Sequence, residues 1–452
     1  MSTDMEPILM IIGGGLAGCE AAWQAASQGI TVRLLEMKPL RFSPAHRSPF
    51  LAELVCSNSL RSQDIQSAVG LLKEEMRHLG SLVMESALNH QVPAGKALAV
   101  DRERFAGHIT DRIKTHPLIQ VVSQEVSRLP RDEILVLASG PLTTESLADD
   151  LIELLGEKQL YFYDAIAPIV TLESIDGAKV YRGSRYGHGG ADYINCPMSQ
   201  GEYDLFYENL IKAEQVPLHP FEKANFFEGC LPIEIMAQRG KETLRFGPMK
   251  PVGLSDPRTG EIPFAVVQLR QENLEGSLYN MVGFQTKLKW GEQERVFRLI
   301  PGLEKAEFAR LGSIHRNTFV NGPEVLLPTL QLKKHPGFFL AGQISGVEGY
   351  VESAAMGILA GFNAARYLKG KPLLSPPATT ALGALTGHIT RKSLADFQPM
   401  NINFGLFPPL PGKTPRRDRG RRYAERALED LKTWMEQEGL SGPGRNRLLN
   451  GR

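Results

Sequence analysis

Gly13, Gly14, Gly15, Leu16, Ala17 and Gly18 form a Gly-x-Gly-x-x-Gly loop directly after the apolar run Ile8–Ile12. This pattern suits a dinucleotide. Its first glycine permits a tight turn, its second lets the backbone approach a pyrophosphate, and its third lets the following helix pack closely on the strand. Glu36 ends the next apolar run, where a carboxylate can accept a ribose hydroxyl. FAD, NAD and S-adenosylmethionine can all use such a turn. The N-terminal location favours FAD, because a second strand, glycine and helix return at Phe338–Gly342. Gly342, Gln343 and Tyr350 stand at that return. Gln343 takes a position usually held by an acidic residue, and Tyr350 fits either a ring near the flavin or a core aromatic.

Sulfur is the second resource. Cys19, Cys56, Cys196 and Cys230 are scattered without CxxC spacing. That disfavours a disulfide scaffold, a zinc site and a dithiol redox pair, and no metal is expected. Cys19 follows the third glycine inside a predicted helix, and Cys196 sits in Asn195–Met198. Both read as packed side chains. Cys56 lies in the polar run Val55–Ser59, and Cys230 lies beside Gly229 between Glu228 and Glu234. These two are the candidates for a reactive thiol.

The elements that must position these groups follow from periodicity. Ile8–Ile12, a helix over Cys19–Ser27 stopped by Gly29, and the strand Ile30–Leu35 make one βαβ unit. Further strands are expected at Ile134–Leu137 and Phe338–Leu340, with helices over Val69–Leu79 and Glu352–Leu368. From about Tyr161 the texture changes to aromatics, glycines and short β-like runs, with few long helices. The expected fold is α/β: a discontinuous Rossmann-like FAD-binding domain over residues 1–165 and 325–452, ending in a basic tail, with an inserted α+β domain over 166–324. There are 452 residues, 22% charged and 42% hydrophobic, with a net charge of +1. This balance belongs to a folded soluble enzyme. No apolar run reaches the length of a membrane span and no secretory signal is evident, so a cytoplasmic location is expected. No second glycine fingerprint follows a strand, so any nicotinamide reductant would share the flavin cleft.

Several longer strings carry a resemblance. They include Pro44–His46, Ala52–Arg61, Val69–Met76, Val92–Gly95, Ala99–Arg102, Ser139–Leu142, Phe227–Glu234, Phe246–Gly253, Val282–Trp290, His315–Thr318 and Gly342–Tyr350. Through them, residues 8 to 425 resemble the bacterial folate- and FAD-dependent tRNA (uracil-5-)-methyltransferases. The resemblance implies C5-methylation of the T-loop uridine of tRNA to ribothymidine. The carbon would come from 5,10-methylenetetrahydrofolate, with FAD as carrier and reductant and NADPH or NADH as electron source. It implies Cys230 as nucleophile at C6 and Cys56 as helper, with exchange of these roles left open. A buried uridine must be flipped out of the RNA. Arg182, Arg185, Lys241, Arg245, Lys250, Lys287, Lys289, Arg295 and Arg298, and the run Arg416–Arg422, are candidate phosphate contacts. His315 and Arg316 are candidates for the folate tail or for RNA phosphate. No obligatory protein partner and no membrane partner are expected. Competing expectations are the same chemistry on ribosomal RNA, a wobble-uridine flavoprotein working with a GTPase, a small-molecule flavin oxidoreductase, and a non-catalytic FAD-binding RNA chaperone.

Overall fold

The computed structural model describes residues 8–156, 160–187, 190–217, 231–392 and 397–440; for 160–164 and 314–316 it describes the backbone alone. A short continuous apolar run forms a strand buried on both faces of a parallel sheet. Ile8–Ile12 accordingly lies at the centre of five parallel strands, in the order Phe338–Leu340, Leu135–Leu137, Ile8–Ile12, Thr31–Glu36, Ile119–Ser123. Its register pairs Ile12 with Leu35 and with Leu137. The carboxyl ends therefore align along one edge, which is where open α/β sheets bind ligands.

Two helices rich in small residues, Leu16–Ser27 and Tyr350–Leu368, pack against each other beside this sheet. Their backbones almost touch. A Cβ on Gly357 would lie 2.3 Å from the Ala17 carbonyl oxygen, and one on Gly361 would lie 2.5 Å from that of Ala21. The basic tail is not a loose appendage. The helix Arg419–Gln437 buries Tyr423, Ala424, Ala427, Leu431, Trp434 and Met435 in the same core, against the helix Ala68–His78. Its opposite face, from Arg419, Arg421 and Arg422 through Glu425, Glu429 and Lys432, is exposed.

The middle of the chain forms a separate antiparallel sheet of six strands: Tyr181–Arg182, Tyr193–Met198, Ala265–Gln271, Leu278–Met281, Ile169–Thr171, Phe308–Arg310. Side chains alternate between its faces. Ile194, Cys196, Met198, Val267 and Leu269 enter a core with Tyr203, Phe206 and Leu210 of the helix Gln200–Lys212. A capping box between Ser199 and Glu202 starts that helix. Asn195, Gln268 and Arg270 leave the other face, and all three are buried. An antiparallel ribbon, Leu160–Ala165 with Ile314–Phe319, runs where the chain enters and leaves this region. No described helix is long and apolar enough to cross a membrane.

The close helix contact yields a test. Gly357→Val places methyl groups on the Ala17 backbone and should cost roughly 3 kcal/mol. Urea denaturation reads this directly, and an unchanged midpoint would refute the packing.

Candidate active site

The three glycines of the loop have different surroundings. Gly13 has φ +102°, and a Cβ there would lie 2.4 Å from the Ala138 carbonyl oxygen. At Gly18 a Cβ would lie 1.8 Å from the Gly13 carbonyl oxygen. Gly15 differs: a Cβ there meets nothing within 4 Å, because it faces the cleft. Gly15 is the N-cap of the Leu16–Ser27 helix and no side chain caps that end. The first-turn N–H groups of Leu16 and Ala17 are thus placed for phosphate oxygens. Glu36 lies alongside, its Oε2 accepting the Gly14 N–H at 2.6 Å and its Oε1 the Lys38 N–H at 2.9 Å. Gly342, with φ +79°, closes the cleft against Ala17. The cleft holds about 860 Å³ of empty space, counting its solvent-open mouth, and Ser139, Gly140, Gln343 and Tyr350 complete its lining. An uncapped helix end, a glycine facing open space and a carboxylate at the second strand fit a dinucleotide cofactor such as FAD.

The cleft also contains groups without a sequence signal. Lys38 is buried, pairs with Glu53 at 3.4 Å and donates to the Ser48 carbonyl at 3.2 Å. Glu53 accepts the N–H groups of Arg47 and Ser48. Ser43 Oγ lies 2.5 Å from His46 Nδ1, and burial together with Lys38 lowers the pKa of His46. Gln343 donates through Nε2 to Glu348 Oε2 at 2.6 Å. A carboxylate therefore reaches this corner five positions after the place where one is usual. Lys38, Ser43, His46, Glu53 and Glu348 sit in loops or turns, where neither period nor spacing marks them.

Cys56 follows Val55, which lines the cleft, and lies against Tyr350, which also lines it. The Tyr350 hydroxyl oxygen accepts N–H bonds from Cys56 at 2.7 Å and Ser57 at 3.3 Å, and lies 2.9 Å from Cys56 Sγ. With both lone pairs taken by backbone donors, the hydroxyl hydrogen is left to point at sulfur. Burial, then the charge of Cys56, pushes the Tyr350 pKa well above its usual value, so the phenol keeps that hydrogen. The inserted sheet grips the same loop from the other side. Arg270 donates to Ser57 Oγ at 2.8 Å and to Asn58 Oδ1 at 3.0 Å. Asn58 Nδ2 in turn reaches the carbonyls of Val100 at 3.0 Å and Gln271 at 2.9 Å. Arg102 donates to the Leu54 carbonyl at 2.7 Å and pairs with Glu272. Arg102, Arg270 and Arg310 all lie close enough to interact electrostatically with Cys56. Guanidiniums beside a thiol favour its thiolate, which is the nucleophilic form.

The remaining candidates separate clearly. Cys19 and Cys196 are fully buried, and burial pushes both thiols far up. Cys230 lies outside the described residues. The chain just after it is anchored: Ile233 N–H donates to the Gln285 carbonyl at 2.8 Å, and the Glu234 carboxylate accepts from Thr286 Oγ1 and the Lys287 N–H, both at 2.8 Å. His315 and Arg316 lie on the Ile314–Phe319 strand opposite Asp164 and Tyr163; their side chains lie outside the description. Among the basic candidates, Lys241, Lys289, Arg295 and Arg298 pair with Asp204, Glu214, Glu292 and Glu294. Such partly exposed pairs bind weakly enough to exchange for phosphate.

Behind Tyr350, Glu352 pairs with Arg61. Buried Lys73 donates to the carbonyls of Leu60 at 2.7 Å and Arg61 at 3.2 Å. Burial and then Arg61 push the Lys73 pKa from 10.5 down to about 7, with Glu352 opposing. The unfolded chain keeps this proton up to about pH 10.5, whereas the folded chain releases it near pH 7. Between those values the unfolded state carries more protons, so this group makes stability rise with pH. Urea denaturation at about pH 7 and about pH 9 should show that rise in the wild type and a flatter response in Lys73→Met. Equal pH responses would contradict it.

The family model described as glucose inhibited division protein A matches residues 8–372. The chain is 61% identical over 432 residues to methylenetetrahydrofolate–tRNA-(uracil-5-)-methyltransferase TrmFO of Geobacter sulfurreducens, spanning 95% of this chain and 99% of that one. It is 62% identical over 428 residues to the protein of the same name from Geotalea uraniireducens, spanning 94% and 98%. The crystal structure of Aquifex aeolicus GidA superposes with a TM-score of 0.72 at 17% identity, over 98% of this chain and 78% of that one, which shows a common fold. The chain thus belongs to the glucose inhibited division protein A family and, within it, to the methylenetetrahydrofolate–tRNA-(uracil-5-)-methyltransferases.

Proposed function

We propose that this chain methylates C5 of the T-loop uridine of tRNA, using 5,10-methylenetetrahydrofolate as carbon donor, bound FAD, and NADPH or NADH as reductant. The observation that carries the reading is a thiol, Cys56, held by Tyr350, a residue that lines a cleft fit for a dinucleotide. The relatives' names supply the substrate class. We further propose that residues 1–165 and 325–452 hold the cofactor while 166–324 face the RNA, and that the enzyme works in the cytoplasm without an obligatory protein partner.

C5 of uracil is a poor nucleophile. A thiolate adding to C6 turns the ring into an enolate that attacks an electrophilic carbon at C5, and later elimination of the thiolate restores the ring. In this reading Cys230 forms the bond to C6. Cys56 takes the proton that leaves C5, and the Tyr350 hydroxyl and the three guanidiniums stabilise its thiolate beforehand. The glycine loop and the helix end bind the pyrophosphate, and Glu36 accepts the ribose hydroxyl. Bound FAD supplies one-carbon carriage and hydride chemistry.

Labelled methylenetetrahydrofolate with NADH and unmodified tRNA is the test. Wild type should place label in the T-loop. Cys56→Ala should lower the rate by roughly two orders of magnitude or more, the scale of one lost acid–base group, and Cys230→Ala should abolish it. Label arriving from S-adenosylmethionine, label entering only ribosomal RNA fragments, or variants as active as wild type would overturn the proposal.

A further inference from the structure

The polar face of the inserted sheet leads away from Cys56. Arg270 holds Ser57 and Asn58, and Gln268, two positions along the same strand, leaves the same face. Gln268 Oε1 accepts from Arg185 Nη2 at 3.0 Å, and Arg185 also donates to the Val252 carbonyl. Next to Arg185 stands Tyr186, a residue 61% exposed. Its backbone is left-handed, with φ 58°, a region that bulky residues rarely enter. The Tyr186 N–H donates to the Gly253 carbonyl at 2.8 Å, and its ring covers Gly253 so closely that a Cβ there would lie 2.7 Å away. Phe246, 80% exposed, and Val252, 47% exposed, belong to the same Phe246–Gly253 stretch. The segment is tied back to the part carrying Cys56: Asp192 accepts the Gly95 N–H at 2.6 Å, and the Tyr193 hydroxyl donates to the Ala94 carbonyl at 3.0 Å. A left-handed backbone therefore holds a largely exposed tyrosine one residue from a fixed guanidinium, on a series of contacts that begins at Ser57 and Asn58, next to the thiol.

We propose that Tyr186 is a stacking platform for an unpaired RNA nucleobase neighbouring the target uridine, with Arg185 supplying positive charge for its phosphate. The inference rests on the tRNA-methylating reading above and adds a contact to it. Flipping one base out leaves its neighbour without a stacking partner, and an exposed aromatic ring replaces that partner whatever the base.

The test measures the dissociation constant and KM of the FAD-loaded enzyme for unmodified tRNA, with melting midpoint and FAD content as controls. Tyr186→Ala should weaken both tRNA constants by roughly tenfold, while Tyr186→Phe and Tyr186→Trp, which keep a ring, stay within about twofold. Tyr186→Leu carries the alanine expectation should that variant unfold. Unchanged tRNA constants in the alanine and leucine variants would overturn the platform alone, because wild type would still methylate tRNA. Equal losses in the phenylalanine variant would assign the effect to the hydroxyl and overturn it too. A wild type that neither binds nor methylates tRNA would remove the functional reading together with this one.

Discussion

Backbone-to-backbone approach at the head of the Leu16–Ser27 helix is the constraint on which the rest of the molecule depends. Gly18 lies against the Gly13 carbonyl, Gly13 against Ala138, and Gly357 and Gly361 against Ala17 and Ala21. None of these positions has room for a β-carbon. The consequence is geometric: the helix N-terminus, the ends of the strands Ile8–Ile12 and Thr31–Glu36, and the head of the Tyr350–Leu368 helix converge on one cleft. Looser packing would separate Tyr350 from the glycine loop, and with it the thiol that Tyr350 holds.

The second organising feature is that Cys56 belongs to neither half of the molecule alone. The returning helix supplies Tyr350, the inserted sheet supplies Arg270, and Arg102 starts a helix of the first half. Arg270 and Glu272 are nearly inaccessible to solvent, and burial raises the pKa of Glu272 against the pull of Arg102 and Arg270. Charges buried in this way are costly to leave unpaired. The network therefore fixes how the inserted sheet sits on the half built around the parallel sheet, and the thiol inherits that precision.

Much of this was legible in the sequence, for identifiable reasons. The glycine fingerprint obeys a spacing rule that is itself geometry: a β-carbon at Gly13 or Gly18 would meet backbone, and Glu36 ends the second strand. The Cys19–Ser27 helix begins slightly earlier, at Leu16, because Gly15 rather than Gly18 is its N-cap. Burial, which periodicity cannot give for an isolated residue, distinguishes Cys56 from Cys19 and Cys196. Tyr350 fitted either a core or a flavin-side position, and its hydroxyl settles beside Cys56. Lys38, His46 and Glu348 escaped because loops carry no period, and Arg102, Arg270 and Arg310 because they are far apart in the chain. The helix Gln200–Lys212 was missed in a region read as poor in long helices, and Ser199-x-x-Glu202 is the capping-box signal that could have found it.

The proposed chemistry needs a cleft shaped for a dinucleotide, and Gly15 isolates that property. Its φ of −75° suits any L-residue and a Cβ there meets no atom within 4 Å, so the protein tolerates a side chain where a pyrophosphate would not. Equilibrium titration of FAD into wild type and Gly15→Val, with melting midpoints recorded in parallel, is the direct measurement. Equal midpoints without cofactor and FAD binding by wild type only are expected. FAD binding by Gly15→Val with wild-type affinity, or none by either protein, would contradict that expectation.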